Sequence, residues 1–184
     1  MESNIRILET KIEDLQRVIR REEGYTLIDY EPLIDLLYTY QEYLKREVPS
    51  LEETEELLTS AQQLNMTDMT DLSAVALYKD MVKLLQKRAG DQYLEEGMLL
   101  YTNGNQEGAL TWFEKAYHCM PDNPEVLYHL ARIYHSLGDL EQAKALYEII
   151  IEEHQNSTRS QEAITYLGYV EEALKNAVNE TGNN

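Results

Sequence analysis

Residues 90–123, GDQYLEEGMLLYTNGNQEGALTWFEKAYHCMPDN, and residues 124–157, PEVLYHLARIYHSLGDLEQAKALYEIIIEEHQNS, are two versions of one pattern. Set in register at a period of 34, Tyr93 falls opposite Leu127, Gly97 opposite Ala131, Gly104 opposite Gly138, Ala109 opposite Ala143, Phe113 opposite Tyr147 and Ala116 opposite Ile150. Matching size or kind at these paired positions marks an internal repeat, each copy two helices joined by a glycine turn. Small residues at Gly97, Ala131, Ala109 and Ala143 let paired helices approach closely, and the rings of Phe113 and Tyr147 fill the space between them.

The punctuation agrees with that reading. Asn103-Gly104-Asn105 and Gly138-Asp139 are turns, the latter opening a capping box that ends at Gln142, while Asn123-Pro124 caps and begins the second repeat's first helix. Small residue, Ala, aromatic and closing Pro121, spaced this way, resemble the tetratricopeptide repeat (TPR), although Gln155 stands where the second repeat would carry its proline. The resemblance implies an all-α chain, a TPR-type α-α superhelix of stacked helical hairpins. After Ser157 the next Leu-Gly pair, Leu167-Gly168, comes three residues late, which a small insertion at residues 158–160 explains. A helix from about Gln161 to Val178 then has no second member and reads as the one that closes the stack, with residues 179–184 frayed.

Working outward, Ile5, Leu8, Ile12, Leu15 and Ile19 alternate at spacings of three and four, the a and d positions of a heptad. Two readings are open: a coiled-coil-like seam that joins copies of the chain, or an amphipathic helix lying on its own domain. Glu22-Glu23-Gly24 breaks the pattern and suggests a hinge near Gly24. Glu31-Pro32 then starts a helix with Leu33, Leu36, Leu37, Tyr40 and Leu44 on one face, ended by Pro49. Ser50 to Glu53 has the capping-box form and opens a helix carrying Leu51, Leu57, Leu58, Ala61 and Leu64. This pair looks like a divergent TPR-type hairpin. Asp71 is a helix cap, and from Leu72 helical phase runs into Leu100, as one helix or as two that meet near Gly90. The expected organisation is therefore residues 1–24, an amphipathic helix; 25–89, divergent TPR-like helices; 90–157, two repeats; and 158–184, a closing helix and tail.

Function classes are narrowed mainly by subtraction. Sixteen basic against 34 acidic residues give a net charge of -18, which opposes binding to nucleic acid or anionic lipid. Cys119 is the lone cysteine, so no disulfide forms within the chain, and it reads as a packed thiol. No apolar run approaches the ~20 residues of a membrane span, and Met1-Glu2-Ser3-Asn4-Ile5-Arg6 lacks the layout of a secretion signal. The expected location is cytoplasmic, with the soluble part of a cell-envelope protein as the alternative. No phosphate-binding glycine loop, nucleophile elbow or zincin spacing occurs. His129 and His135 lie on different helix faces, and adjacent Glu pairs point apart. Catalytic residues, metal ligands and cofactors are accordingly expected to be none.

What remains is recognition. In TPR proteins the inner helix of each repeat lines a concave groove through its second, fifth, ninth and twelfth positions. That resemblance implies Asp91, Leu94, Met98 and Tyr101 in the first repeat, Glu125, Tyr128, Arg132 and His135 in the second, and Glu162, Thr165, Tyr169 and Glu172 in the closing helix. Leu94, Met98, Tyr101, Tyr128, Arg132, His135 and Tyr169 are the candidate partner contacts, because Tyr and Arg carry much of the energy in desolvated pockets. Leu94 and Met98 replace the Lys and Asn by which some TPR proteins hold a chaperone's C-terminal carboxylate, leaving Arg132 as the anion anchor. Heptads followed by repeats are also similar in architecture to bacterial cell-envelope proteins, including those that coordinate division. The expectation is a non-enzymatic adaptor that binds a protein or peptide segment, as a homo-oligomer if Ile5 to Ile19 pair copies; a peptide-sensing regulator is the alternative.

Overall fold

The computed structural model describes residues 2–21, 30–67 and 69–181, with side chains over 5–17, 30–67 and 69–179. Among them are eight helices and no strand: α1 (Glu2–Arg21), α2 (Glu31–Leu44), α3 (Leu51–Gln63), α4 (Leu72–Thr102), α5 (Gln106–Cys119), α6 (Pro124–Leu137), α7 (Leu140–Glu153) and α8 (Thr158–Thr181). The fold is all-α, and the chain divides into two compact units, Met1–Ala89 and Gly90–Asn184. Residues 72–102 form one helix rather than two, so Gly90, where the units divide, lies within α4.

In the first unit, α1 lies on α2. Leu8, Ile12 and Leu15 are each at most 2% exposed, so the heptad positions are spent on the core of the chain's own unit. Of the two readings of this helix, the burial fits an amphipathic helix lying on its own unit; Ile5 is half-buried and Ile7 is exposed. The side chain of Ile19 and the expected hinge near Gly24 lie outside the described residues. Polar contacts fix the pair, with Gln41 donating to Glu9 at 2.8 Å and Gln16 donating to the Tyr38 hydroxyl at 3.1 Å.

Leu33, Leu36, Leu37, Tyr40 and Leu44 are all buried, as their spacing requires. Pro49 does not end α2, which stops at Leu44. There the Lys45 and Arg46 N–H groups bond carbonyls three residues back, a tightening that satisfies open carbonyls without proline. Ser50 and Glu53 make both bonds of a capping box at α3. The Tyr43 and Thr54 hydroxyls, both buried, share a 3.0 Å hydrogen bond that ties α2 to α3.

Asp71 opens α4, accepting from the Ser73 and Ala74 N–H groups at 2.9 and 3.0 Å. The Ser73 hydroxyl and the Lys11 ammonium also bond it. The hydroxyl bond, opposed by partial burial and reinforced by the Ala74 N–H and Lys11, holds its carboxyl near pKa 2. One residue thus caps α4 and anchors α1.

The second unit stacks helices in chain order, α5 on α6, α6 on α7 and α7 on α8, with α8 also reaching α6. Its core holds Ala109, Phe113, Leu127, Ala131, Ala143, Tyr147 and Ile150, so apart from the exposed turn glycines Gly104 and Gly138 the residues matched at the repeat period are ones that pack. Gly97 shows why size matters, because a Cβ added there would lie 2.6 Å from two ring carbons of Phe113. Gly104 and Gly138 turn the chain at φ of 81° and 87°, conformations that side chains rarely adopt. Asn105, Asn123 and Asp139 cap the helices that follow, although Asp139 makes only the forward bond of the expected box. The last helix starts at Thr158, a turn before the expected Gln161, and continues to Thr181, beyond the start of the expected fray. The three extra residues are therefore its first turn rather than loop.

Candidate functional site

Arg132 of α6 sits among tyrosines from three helices. Its Nη1 donates to the Tyr128 hydroxyl at 3.1 Å and its Nη2 to the Tyr101 hydroxyl, from α4, at 3.4 Å. The guanidinium lies 4.3 Å above the Tyr166 ring of α8, a cation–π distance. Burial works against its charge, but the Tyr128 bond and the surrounding phenols outweigh it and raise the pKa above the usual arginine value. Among the described residues, no carboxylate pairs with Arg132. It borders a cavity of about 80 Å³ with Met98, Tyr101, Thr102, Phe113 and His129.

Arg159, in the first turn of α8, is the opposite case. Its Nε donates to Glu125 Oε2 at 2.7 Å, its Nη2 makes a second bond to Glu125 Oε1, and its Nη1 donates to Glu162 Oε2 at 2.8 Å. The fork thus bonds two carboxylates from different helices, and the Arg159 bond holds the Glu125 carboxyl below the usual range. The same guanidinium lies 4.4 Å over the Tyr128 ring.

These contacts correct the place of Tyr128, which is 3% exposed and not a surface contact. Arg159 covers one face of its ring, Tyr166 meets it edge-on at 6.1 Å, and its hydroxyl serves Arg132. Burial, then a bond to Glu162, against the opposing effect of Arg132, pushes its pKa to about 12. Tyr128 is a support for the site. Of the other candidates, Met98 and Tyr169 are the most open, at 42% and 56% exposed. Leu94, Tyr101 and His135 are half-buried, the first two packed against the core. Asp91, Glu125 and Glu162 are half-buried too, whereas Thr165 and Glu172 face solvent.

Sequence reasoning missed Tyr166 and Arg159. Tyr166 was within reach of the three-residue shift, whereas Arg159 lies inside the insertion itself and has no counterpart in the repeat. Phe113 stacks on His129 at 5.6 Å and 23°; Tyr147 stacks on Tyr166 at 6.1 Å and 16°. The second pair repeats the first, one period on for the outer ring and one period plus three for the inner. Applying the shift to His129 yields Tyr166. His129 itself bonds Glu125 at 3.1 Å, and burial lowers its pKa despite that carboxylate.

Residues 100–166 match a family model described as tetratricopeptide repeat. That segment is therefore similar to the tetratricopeptide repeat. The match takes in α5, α6, α7 and the start of α8, and ends at Tyr166 under the Arg132 guanidinium. Such repeats are generally non-catalytic modules of protein interaction. No curated protein matches the chain. Among the described residues no three of His, Cys, Asp and Glu gather as a metal site, and no helix is long and apolar enough to cross a membrane.

Proposed function

We propose that the chain is a non-enzymatic scaffold whose repeat array binds a protein segment across the inner-helix residues of the second unit, with Arg132 receiving an acidic side chain of that segment. The supporting observation is the unpaired charge. In a chain of net -18, a half-buried guanidinium is aimed by two tyrosine hydroxyls and one tyrosine face, while its neighbour Arg159 is fully occupied by carboxylates. A cation pre-oriented in this way loses little side-chain entropy when a carboxylate arrives, and a charge-assisted bond at a partly desolvated site is stronger than one in open water. Met98 and Tyr169 supply exposed apolar area for the flanking residues of the segment.

Peptides selected for binding from a random library against the full chain test this reading. The expected result is a shared Asp or Glu flanked by apolar residues, with affinity falling about tenfold or more for Arg132→Gln and less for Arg132→Lys, the scale of a charge-assisted bond of ~1.5–3 kcal/mol. Selected peptides without an acidic residue, or bound equally by a folded Arg132→Gln chain, would overturn it.

A further inference from the structure

The first unit carries a cleft unrelated to the Arg132 site. It runs between α2 and α3 and holds about 500 Å³. Leu36, Tyr43, Leu57 and Leu64 provide apolar lining, and the first three are themselves well packed, so the floor is firm. The rim carries four carboxylates, Asp35, Glu42, Glu53 and Glu56, against one guanidinium, Arg46. Arg46 is taken up by Glu53, and Glu42 pairs with Lys45 at 2.6 Å. Asp35 on the α2 wall and Glu56 on the α3 wall have exposed residues and side-chain carboxylates with no ion pair among the described residues.

We propose that this cleft docks a basic amphipathic helix of a partner protein, its apolar stripe on Leu36 and Leu57 and its Lys or Arg side chains reaching Asp35 and Glu56. The shape suits a helix, because the groove between two antiparallel neighbours is the seat a third helix takes in helical packing. The volume is within the range of sites that enclose a few side chains. Charge selects the partner: one free carboxylate on each wall favours cations flanking the stripe on both sides and repels an acidic helix. Thr39 and Ser60, also in the lining, leave polar edges that suit a reversible rim.

An 18-residue helical peptide of leucines at i, i+3, i+4 and i+7 flanked by lysines is the probe, titrated calorimetrically into the full chain at physiological salt. A counterpart with glutamates for lysines is the control. The lysine peptide should bind and the glutamate peptide should not. Asp35→Lys with Glu56→Lys should weaken binding about tenfold or more, since two attractions become two repulsions. Ser60→Trp, which fills the cleft from an exposed position, should weaken it similarly, while Glu95→Lys with Glu96→Lys on the other unit should leave it unchanged. Equal loss with the Glu95 and Glu96 reversals would mean general attraction to an acidic chain, and overturns the site. So does binding that Ser60→Trp or the Asp35 and Glu56 reversals leave intact. Self-association of the chain that these reversals abolish, without peptide binding, would assign the cleft to a second copy and also overturn the proposal. None of these variants touches Arg132, so the two readings fail separately.

Discussion

Gly97→Ala and Gly168→Ala are the same chemical change in the interiors of two helices, and they should act in opposite directions. Replacing glycine by alanine inside a helix is worth about 1 kcal/mol from backbone entropy alone. At Gly168 nothing lies within 4 Å of the added methyl, so that gain should be realised as stabilisation. At Gly97 the methyl would lie 2.6 Å from Phe113 Cδ1 and Cε1, about an ångström inside ordinary carbon contact, against a ring 1% exposed with little room to retreat. Overpacking of that kind costs about 1–3 kcal/mol, occasionally more, which offsets the propensity gain and leaves a net loss of up to about 2 kcal/mol. The sole tryptophan, Trp112, sits one residue from Phe113 and 5.7 Å from Tyr93, so its fluorescence reports on this packing. Urea unfolding should show the midpoint falling for Gly97→Ala and rising for Gly168→Ala with unchanged slope. Combining Gly97→Ala with Phe113→Leu should cost less than the two singles added, because the shorter side chain vacates the clash. A midpoint raised equally by both alanines would refute the close approach on which the repeat geometry rests.

Arg159→Ala removes two ion pairs and a cation–π contact at a partly exposed position, and thermal unfolding should report a loss of about 1–2 kcal/mol, with Glu125→Gln costing less. Burial lowers the His129 pKa, so between the folded value and 6.5 the unfolded chain binds a proton that the native one refuses; stability is full above pH 6.5 and declines below it. The pH slope of the urea midpoint between 7.5 and 5.5 should therefore shrink in His129→Gln. Asp71 has the depressed carboxyl: its contribution is present above pH 3.8 and lost as pH falls through about 2. Asp71→Ala should cost about 0.5–2 kcal/mol at neutral pH, measured by thermal unfolding, through the lost α4 cap and the released Lys11.

Residue size and helix phase were legible because they are local and periodic. Gly97 opposite Phe113, Ala143 beside Tyr147, and the Ser50 and Glu53 capping box depend on neighbours a few residues away or on the repeat itself. Exposure was less legible. Tyr128 occupies an inner-helix position, yet what covers it is Arg159, 31 residues on and inside the insertion that breaks the repeat. The heptad at the N-terminus reads equally well as a seam between chains and as a stripe on one core, because both bury the same side; the contact with α2 fits the second. Likewise Pro49 is a helix breaker in sequence, but the chain had already turned at Lys45 through hydrogen bonds to carbonyls three residues back.

The three-residue extension of α8 gives the array its asymmetry. Without that turn, Glu125 and Glu162 would stand near one another without Arg159 between them, and the Tyr128 face would be open. With it, Arg159 is committed to holding α6 and α8 together, and the remaining guanidinium, Arg132, is the one whose hydrogen-bonding fork is turned to phenols rather than carboxylates. Phenols orient a guanidinium without neutralising it. The two arginines thus divide the work: one closes the stack, and the other keeps a charge that an incoming carboxylate can meet. This division makes a separation of effects testable, since Arg132→Gln should change peptide affinity with little change in unfolding temperature, whereas Arg159→Ala should lower the unfolding temperature first.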